Sequence, residues 1–172
     1  MTDHLRRLVR DVPDFPKPGI LFRDITPLLR DARGLQSTID AMATPWATTG
    51  TEYVAGIEAR GFILGPAVAL QLTAGFLPVR KAGKLPCDVV AQEYELEYGK
   101  ATIELHSDAL HEGDQVLIVD DVLATGGTAR AAVRLVESLG ATVAGLAFLI
   151  ELTALGGRQG LEDYRIETVI DY

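Results

Sequence analysis

The sequence contains a single cysteine, Cys87, among 172 residues. One cysteine permits no disulfide within the chain and offers no thiolate cluster to a metal ion. Such a chain suits a reducing compartment, so we expect it to act in the cytoplasm. No apolar run is long enough to span a membrane, and the N-terminus lacks the apolar core and cleavage site of a secretory signal. We therefore expect no membrane partner.

Basic charge is also scarce, with 16 Lys and Arg against 24 Asp and Glu and a net charge of −8. Proteins that bind nucleic acid generally need a basic surface, so we expect no nucleic-acid partner. A local basic cluster can still bind a small anion within an acidic protein. The chain length and the hydrophobic fraction of 48% are typical of one globular domain, which we place at residues 1–172.

Apolar runs of strand length alternate with helical patterns along the chain. The alternation predicts an α/β fold with a mostly parallel twisted sheet flanked by helices, in which ligands bind beyond the carboxyl ends of the strands. The predicted strands are Tyr53–Ile57, Phe76–Val79, Val116–Asp120 and Val143–Glu151, and the predicted helices are Phe62–Leu72 and Thr128–Leu139.

Two segments depart from this alternation. Val89–Ile103 alternates with period two around a turn at Gly99, which predicts a β-hairpin. Residues 12–31 carry four prolines and no long regular pattern. A loop of that length in a compact domain is usually functional.

One stretch, VLIVDDVLATGGTARAAVRLVESLG (Val116–Gly140), contains an anion-binding pattern. A buried strand leads through a small-residue turn to a helix start, where unpaired backbone N–H groups and the helix dipole favour a phosphate. The turn matches neither the Walker A nor the dinucleotide fingerprint. The adjacent carboxylates of Asp120 and Asp121 would repel a phosphate but accept hydrogen bonds from sugar hydroxyls. The pattern indicates a phosphorylated sugar, with a tight turn beside two solvated acids as the alternative.

Val116–Thr128 resembles the phosphoribosyl-diphosphate (PRPP) signature of the type I phosphoribosyltransferase family. The resemblance implies that family's fold, in which a β-hairpin hood covers the active site. It also implies that Asp120 and Asp121 bind the ribose hydroxyls as part of the catalytic machinery. The residues that it assigns to the 5′-phosphate are Ala124, Thr125, Gly126, Gly127 and Thr128.

Four further segments resemble the adenine branch of this family, in the family's order and over most of the chain. They are FPKPGILFRDITPLL (Phe15–Leu29), GIEARGFILGPAVA (Gly56–Ala69), VRKAGKLP (Val79–Pro86) and EYELEYGKATIELHSDAL (Glu93–Leu110). The resemblance makes residues 12–31 an adenine-binding loop and residues 86–104 a flexible hood. The residues that it places against the base are Leu21, Phe22, Arg23, Val122 and Leu123.

The resemblance also assigns residues to diphosphate binding and to proton donation. It implies a cis peptide between Glu58 and Ala59, and it singles out Glu97 as the acid that protonates a purine ring nitrogen, with Tyr98 beside the substrate. A carboxyl group in that role needs a raised pKa, which exclusion of water can supply. The residues implied for the diphosphate are Ala59, Arg60, Arg80, Lys81 and Lys84.

The implied reaction is transfer of the phosphoribosyl group from PRPP to N9 of adenine, which gives AMP and diphosphate in purine salvage. The resemblance implies Mg²⁺ held mainly by PRPP and water, with no direct protein ligand expected, and a homodimer. One alternative is an enzyme of the same class that uses another base, which the adenine-like loop Phe15–Leu29 disfavours. Another is a regulator that senses PRPP or a purine. Such proteins usually carry an added DNA-binding segment, for which an acidic chain of this length has no room.

Overall fold

The computed structural model describes residues 3–95 and 99–172. Short 3₁₀ turns occur at Thr44–Trp46 and Thr153–Leu155. The strands are β1 (Arg10–Pro13), β2 (Leu21–Asp24), β3 (Tyr53–Ile57), β4 (Gly75–Lys81), β5 (Val89–Glu95), β6 (Lys100–His106), β7 (Gln115–Leu123), β8 (Thr142–Glu151) and β9 (Ile166–Asp171). The helices are α1 (Asp3–Arg6), α2 (Thr26–Arg30), α3 (Ala32–Ala43), α4 (Gly61–Leu72) and α5 (Gly127–Ser138).

Seven of these strands form one sheet in the order β5-β6-β4-β3-β7-β8-β9. The neighbouring strands β4, β3, β7, β8 and β9 pair in parallel. Strand β6 pairs antiparallel with both β4 and β5. The predicted mostly parallel sheet is thus confirmed. The predicted hairpin is confirmed by the pairing of β5 with β6, which extends to His106, beyond the predicted end.

The sheet is covered on both faces, which explains why its central strands are almost continuously apolar. Helix α5 packs on one face through Ala132, Val136 and neighbouring residues. Helices α3 and α4 pack on the other face, where Leu64 and Val68 are fully buried. The apolar stripe predicted for α5 is therefore the buried one, and Gly140, with a φ of +82°, follows the end of the helix.

The N-terminal segment is organised separately from this sheet. Strands β1 and β2 form an antiparallel two-stranded ribbon, and within the described ranges neither pairs with a strand of the main sheet. The sequence pattern did not predict α3, whose first turn is capped by the side chain of Asp31 accepting from the N–H of Gly34 at 2.7 Å. It also did not predict the edge strand β9.

The parallel strands β3 and β7 are neighbours, with Gly56 opposite Val119. Their carboxyl ends therefore meet at one edge of the sheet, where ligands bind in folds of this kind. Among the helices of the described residues, we find none with the length and apolar character needed to cross a bilayer.

Candidate active site

The turn between β7 and α5 forms a cradle for an anion. Gly126 precedes the first turn of α5 with a φ of +78°, and no side chain caps this helix start, so its backbone N–H groups are available to a ligand. The turn is tightly supported from behind, since a Cβ atom on Gly126 would lie 2.1 Å from the carbonyl oxygen of Gly157. The cavity of about 70 Å³ at this turn is lined by Asp120, Val122, Leu123, Ala124, Thr125, Gly126, Gly127, Thr128, Ala129 and Phe148.

Two carboxylates stand beside the cradle, within β7, of which Asp121 is buried and Asp120 is partly exposed. The backbone N–H of Asp121 donates to Oδ1 of Asp120 at 2.9 Å, and Asp121 is 4% exposed. Burial raises the pKa of Asp120 well above its ordinary value, and repulsion from Asp121 raises it further. Burial also raises the pKa of Asp121, although the positive charge of Arg60 opposes that shift. The pair thus resists double ionisation.

Arg60 connects this acidic pair to the turn after β3. Its Nε lies 2.5 Å from Oδ2 of Asp121, and the contact is an ion pair without hydrogen-bond geometry. The guanidinium also lies 5.2 Å from the ring centroid of Phe22. Gly61 permits this approach, because a Cβ there would lie 2.9 Å from the carbonyl oxygen of Val119. The predicted cis peptide between Glu58 and Ala59 is present in the same turn.

A second cavity of about 300 Å³ adjoins the cradle and is mainly apolar. The N-terminal ribbon and the acidic pair both line this cavity, so they face each other across it. Its lining residues are Ile20, Leu21, Phe22, Arg23, Arg60, Asp120, Asp121, Val122, Ala124, Thr128 and Leu152. Four of the five residues predicted to contact the base are among them.

The fifth, Leu123, is 1% exposed in the core and borders the cradle instead. Two lining residues were not singled out from the sequence, Ile20 and Leu152. Leu152 directly follows the predicted strand Val143–Glu151, and the rule that ligands bind beyond the carboxyl ends of parallel strands would have found it.

The basic residues at the end of β4 and just after it gather on Glu58 rather than around this cavity. Oε1 of Glu58 accepts from Nζ of Lys84 at 2.8 Å, and Oε2 accepts from the backbone N–H of Lys81 at 3.0 Å. Nε of Arg80 lies 3.4 Å from the same Oε2. These contacts, chiefly the bonds from Lys84 and Lys81, lower the pKa of Glu58 to about 2. Glu58 was not among the predicted site residues, because its contacts join parts of the chain far apart in sequence.

The predicted proton donor Glu97 and its neighbour Tyr98 lie outside the described residues. The end of β5, just before the undescribed residues 96–98, approaches the cradle closely. A Cβ on Gly127 would lie 3.2 Å from the carbonyl oxygen of Glu95 and 3.5 Å from the Tyr94 ring. A cavity of about 380 Å³ lies between the end of the hairpin and α5, lined by Glu93, Tyr94, Glu95, Lys100, Gly127, Arg130, Ala131 and Arg134.

A cradle beside two carboxylates, at the carboxyl edge of a mainly parallel sheet, is the arrangement expected of a phosphoribosyltransferase. Residues 26–170 match the family model for the phosphoribosyl transferase domain. The chain is also 57% identical, over 92% of its length and 89% of the relative, to an adenine phosphoribosyltransferase of Dinoroseobacter shibae.

Solved structures give the same result. The crystal structure of adenine phosphoribosyltransferase from Rhodothermus marinus superposes with a TM-score of 0.95 at 52% identity, over 99% of this chain and 98% of that one. The enzyme of Saccharomyces cerevisiae, complexed with an imino-altritol bisphosphate and adenine, superposes with a TM-score of 0.92 at 41% identity, over 98% and 97%. The chain belongs to the adenine phosphoribosyltransferases, a branch of the phosphoribosyltransferase family. The resemblance stated from the sequence is thereby confirmed.

Proposed function

We propose that this protein transfers the phosphoribosyl group of PRPP to N9 of adenine, with AMP and diphosphate as products, in purine salvage. One observation carries the proposal. The phosphate cradle and the apolar cavity share the walls formed by Asp120, Val122, Ala124 and Thr128. A phosphate in the cradle and a flat base in the cavity would therefore lie on either side of a sugar held by the acids. The yeast relative, which is complexed with adenine, supports the same choice of base.

Asp120 and Asp121 bind the ribose in this proposal. Oδ2 of Asp121 is buried and accepts no hydrogen bond from the described residues, so it can accept one from a sugar hydroxyl once its ion-pair partner Arg60 moves away. As the diphosphate departs, positive charge develops at the anomeric carbon. An ionised carboxylate nearby favours that charge, and it is most effective where water is excluded.

Ala59 and Arg60, together with Arg80, Lys81 and Lys84, bind the diphosphate. Arg60 would leave Asp121 for the phosphate oxygens, because charge-assisted bonds to phosphate are among the strongest available to a guanidinium. The loss of Arg60 from Asp121 leaves the carboxylate facing the ribose.

Glu97 donates a proton to a ring nitrogen of the purine and takes one back when N9, bonded to the anomeric carbon, has lost its own proton. Residues 86–104 act as the hood that carries Glu97. The approach of Tyr94 and Glu95 to Gly127 supports this role, since the end of β5 lies against the phosphate cradle. A closing hood excludes water, which protects PRPP from hydrolysis and raises the pKa of a carboxyl group beneath it. Residues 12–31 supply the adenine-binding loop, which contributes Leu21, Phe22 and Arg23 to the base cavity.

Mg²⁺ is the proposed cofactor. Within residues 3–95 and 99–172, no three His, Cys, Asp or Glu side chains cluster closely enough to hold a metal ion. A site that retains several waters and the phosphates of the substrate fits this donor set, because Mg²⁺ needs only one or two carboxylates from the protein. When bound with PRPP, the ion supplies positive charge against the departing diphosphate.

We further propose that the protein is a cytoplasmic homodimer. Helix α4 exposes Ile63 and Leu70, which are 49% and 82% accessible, beside a groove that α3 and α4 line with apolar residues. Exposed apolar side chains beside a mainly apolar groove are typical of an interface. Cys87 is exposed and unpaired, which suits a reducing compartment. Sedimentation of the wild type and of Leu70→Glu tests the dimer, which the variant should dissociate.

The activity is tested by incubating the protein with PRPP, Mg²⁺ and each purine base in turn and measuring the nucleotide formed. We expect AMP from adenine and little nucleotide from hypoxanthine, guanine or xanthine. If no AMP forms from adenine, the proposal is wrong. The role of Glu97 is tested separately with Glu97→Gln, which should reduce kcat while PRPP binding is retained. Unchanged turnover in that variant would remove Glu97 from the mechanism.

A further inference from the structure

The ribbon that supplies the base-contacting residues has little support of its own. Strands β1 and β2 span four residue pairs, from Arg10 opposite Asp24 to Pro13 opposite Leu21. An isolated two-stranded ribbon is marginally stable at best in water. Its position over the base cavity must therefore depend on side-chain contacts with the rest of the protein.

Tyr172 provides such a contact from beyond the end of β9. The guanidinium carbon of Arg23 lies 3.7 Å from the centroid of the Tyr172 ring, and that of Arg6 lies 4.4 Å from it. Arg23 is also paired with Asp11, the residue opposite it in the ribbon. Its side chain is 16% exposed, and its Nε is buried without a hydrogen-bond partner among the described residues. The Tyr172 ring and Asp11 are thus the contacts that orient this guanidinium.

The backbone of Tyr172 is held on the opposite wall of the same cavity. Its N–H donates to the carbonyl oxygen of Glu151 at 2.9 Å. Its carbonyl oxygen accepts from the backbone N–H of Thr153 at 2.9 Å and from the Thr153 hydroxyl at 2.7 Å. Leu152, which lies between these two residues, lines the base cavity. Tyr172 therefore joins the ribbon wall of the cavity to the wall formed by the sheet edge.

We propose that Tyr172 is a positioning residue for the nucleobase, which acts by holding Arg23 and the ribbon at the spacing that a purine ring requires. The proposal rests on the proposed function, because it takes the cavity lined by Leu21, Phe22 and Arg23 as the base site. A cation stacked on an aromatic ring loses its attraction when the ring is replaced by an aliphatic group. The hydroxyl group is not needed for this stacking, so phenylalanine should replace tyrosine.

The test compares Tyr172→Leu and Tyr172→Met, which remove the ring, with Tyr172→Phe, which keeps it. For both ring-deleted variants we expect the KM for adenine to rise about tenfold, equivalent to about 1.4 kcal/mol, while the KM for PRPP and kcat change by less than about twofold. Tyr172→Phe should retain the wild-type KM for adenine. In an Arg23→Met background, Tyr172→Leu should raise the KM for adenine by less than about twofold, because Tyr172 acts on the base through Arg23.

Tyr164→Leu is the matched control, since Tyr164 is a partly buried tyrosine whose hydroxyl bonds Glu137 at 2.5 Å, away from the ribbon. It should lower the melting temperature without changing the KM for adenine. The inference is overturned if Tyr172→Phe loses as much adenine affinity as Tyr172→Leu, or if the KM values for adenine and PRPP rise together. A wild type that forms no AMP contradicts the proposed function instead, whereas an active wild type with silent Tyr172 variants contradicts this inference alone.

Discussion

Arg60 and Asp121 form an ion pair with 2.5 Å between Nε and Oδ2, and this pair joins the two halves of the site. Arg60 belongs to the turn after β3, and Asp121 belongs to β7. Without substrate, the residue proposed for the diphosphate partly neutralises a residue proposed for the ribose. Substrate binding must separate Arg60 from Asp121, so a stronger ion pair between them lowers the affinity for PRPP.

Replacing Arg60 with methionine should weaken PRPP binding and destabilise the empty protein. Asp121 would lose the positive charge that opposes the rise of its pKa, so its ionised form would become less favourable still. We expect the KM for PRPP to increase at least about a hundredfold, in line with loss of a charge-assisted phosphate contact. The destabilisation should be largest at pH 8 and should diminish toward pH 4, because protonation removes the negative charge that Arg60 stabilises.

Thermal unfolding at both pH values measures this effect. Arg33→Met, on the exposed side of α3, is the control and should leave both the KM and the melting temperature unchanged. Equal destabilisation of Arg60→Met at pH 4 and pH 8 would contradict the electrostatic explanation.

Replacing Asp120 with asparagine should stabilise the protein while it removes activity. The raised pKa of Asp120 means that burial and Asp121 disfavour its ionised form. Asp120 therefore contributes its full stabilisation of the folded wild type below the unfolded pKa of about 3.8. That stabilisation is lost as the pH rises through the folded pKa of Asp120. At pH 8, Asp120→Asn should therefore have a higher free energy of unfolding than the wild type.

Urea denaturation at pH 4 and pH 8 checks the sign of this difference. Asp163→Asn, at an exposed position, should show no comparable gain. If Asp120→Asn is less stable than the wild type at pH 8, the ionised carboxylate of Asp120 is not unfavourable in the folded protein, and the prediction is wrong.

Gly126 and Gly156 both adopt positive φ angles, +78° and +64°, but their surroundings differ. A Cβ on Gly126 would collide with the carbonyl oxygen of Gly157, whereas nothing lies within 4 Å of one on Gly156. Gly126→Ala should therefore displace the cradle and raise the KM for PRPP at least about tenfold, beyond the cost of roughly 1 kcal/mol for the φ angle alone. Gly156→Ala should show that smaller loss of stability with unchanged kinetics. Similar PRPP affinities in the two variants would show that the cradle tolerates displacement.

Replacing Glu58 with glutamine should release the basic residues that it holds. Its pKa of about 2 lies below the unfolded value of 4.5, so its contribution is present above pH 4.5 and is lost as the pH falls toward 2. We expect Glu58→Gln to lose about 1–2 kcal/mol of stability at pH 7 and little near pH 2.5. Chemical denaturation across this range measures the loss. Glu167→Gln, from an exposed pair with Arg165, should have no measurable effect. A loss that persists at pH 2.5 would point to packing and not to charge.

Much of the fold followed from local patterns. Tyr53–Ile57 was predicted with the bounds that the structure has, because a strand buried on both faces appears as a short, continuous apolar run. Helix α3 and strand β9 escaped prediction. The edge strand β9 covers only six positions, from Ile166 to Asp171, and its polar and apolar residues do not alternate regularly, so it lacks the period-two pattern that predicts a strand.

The site also contains some residues that local sequence patterns predict and others that they do not. The sequence by itself determined the adjacent acids Asp120 and Asp121 and the small-residue turn up to Thr128, because these neighbours in the chain are also neighbours in space. Only the tertiary structure decided that Glu58 holds Lys84, that Leu152 faces the base cavity and that Tyr172 stacks on Arg23. Those contacts depend on strand order and on the path of the chain between distant segments, and neither residue type nor spacing encodes that path.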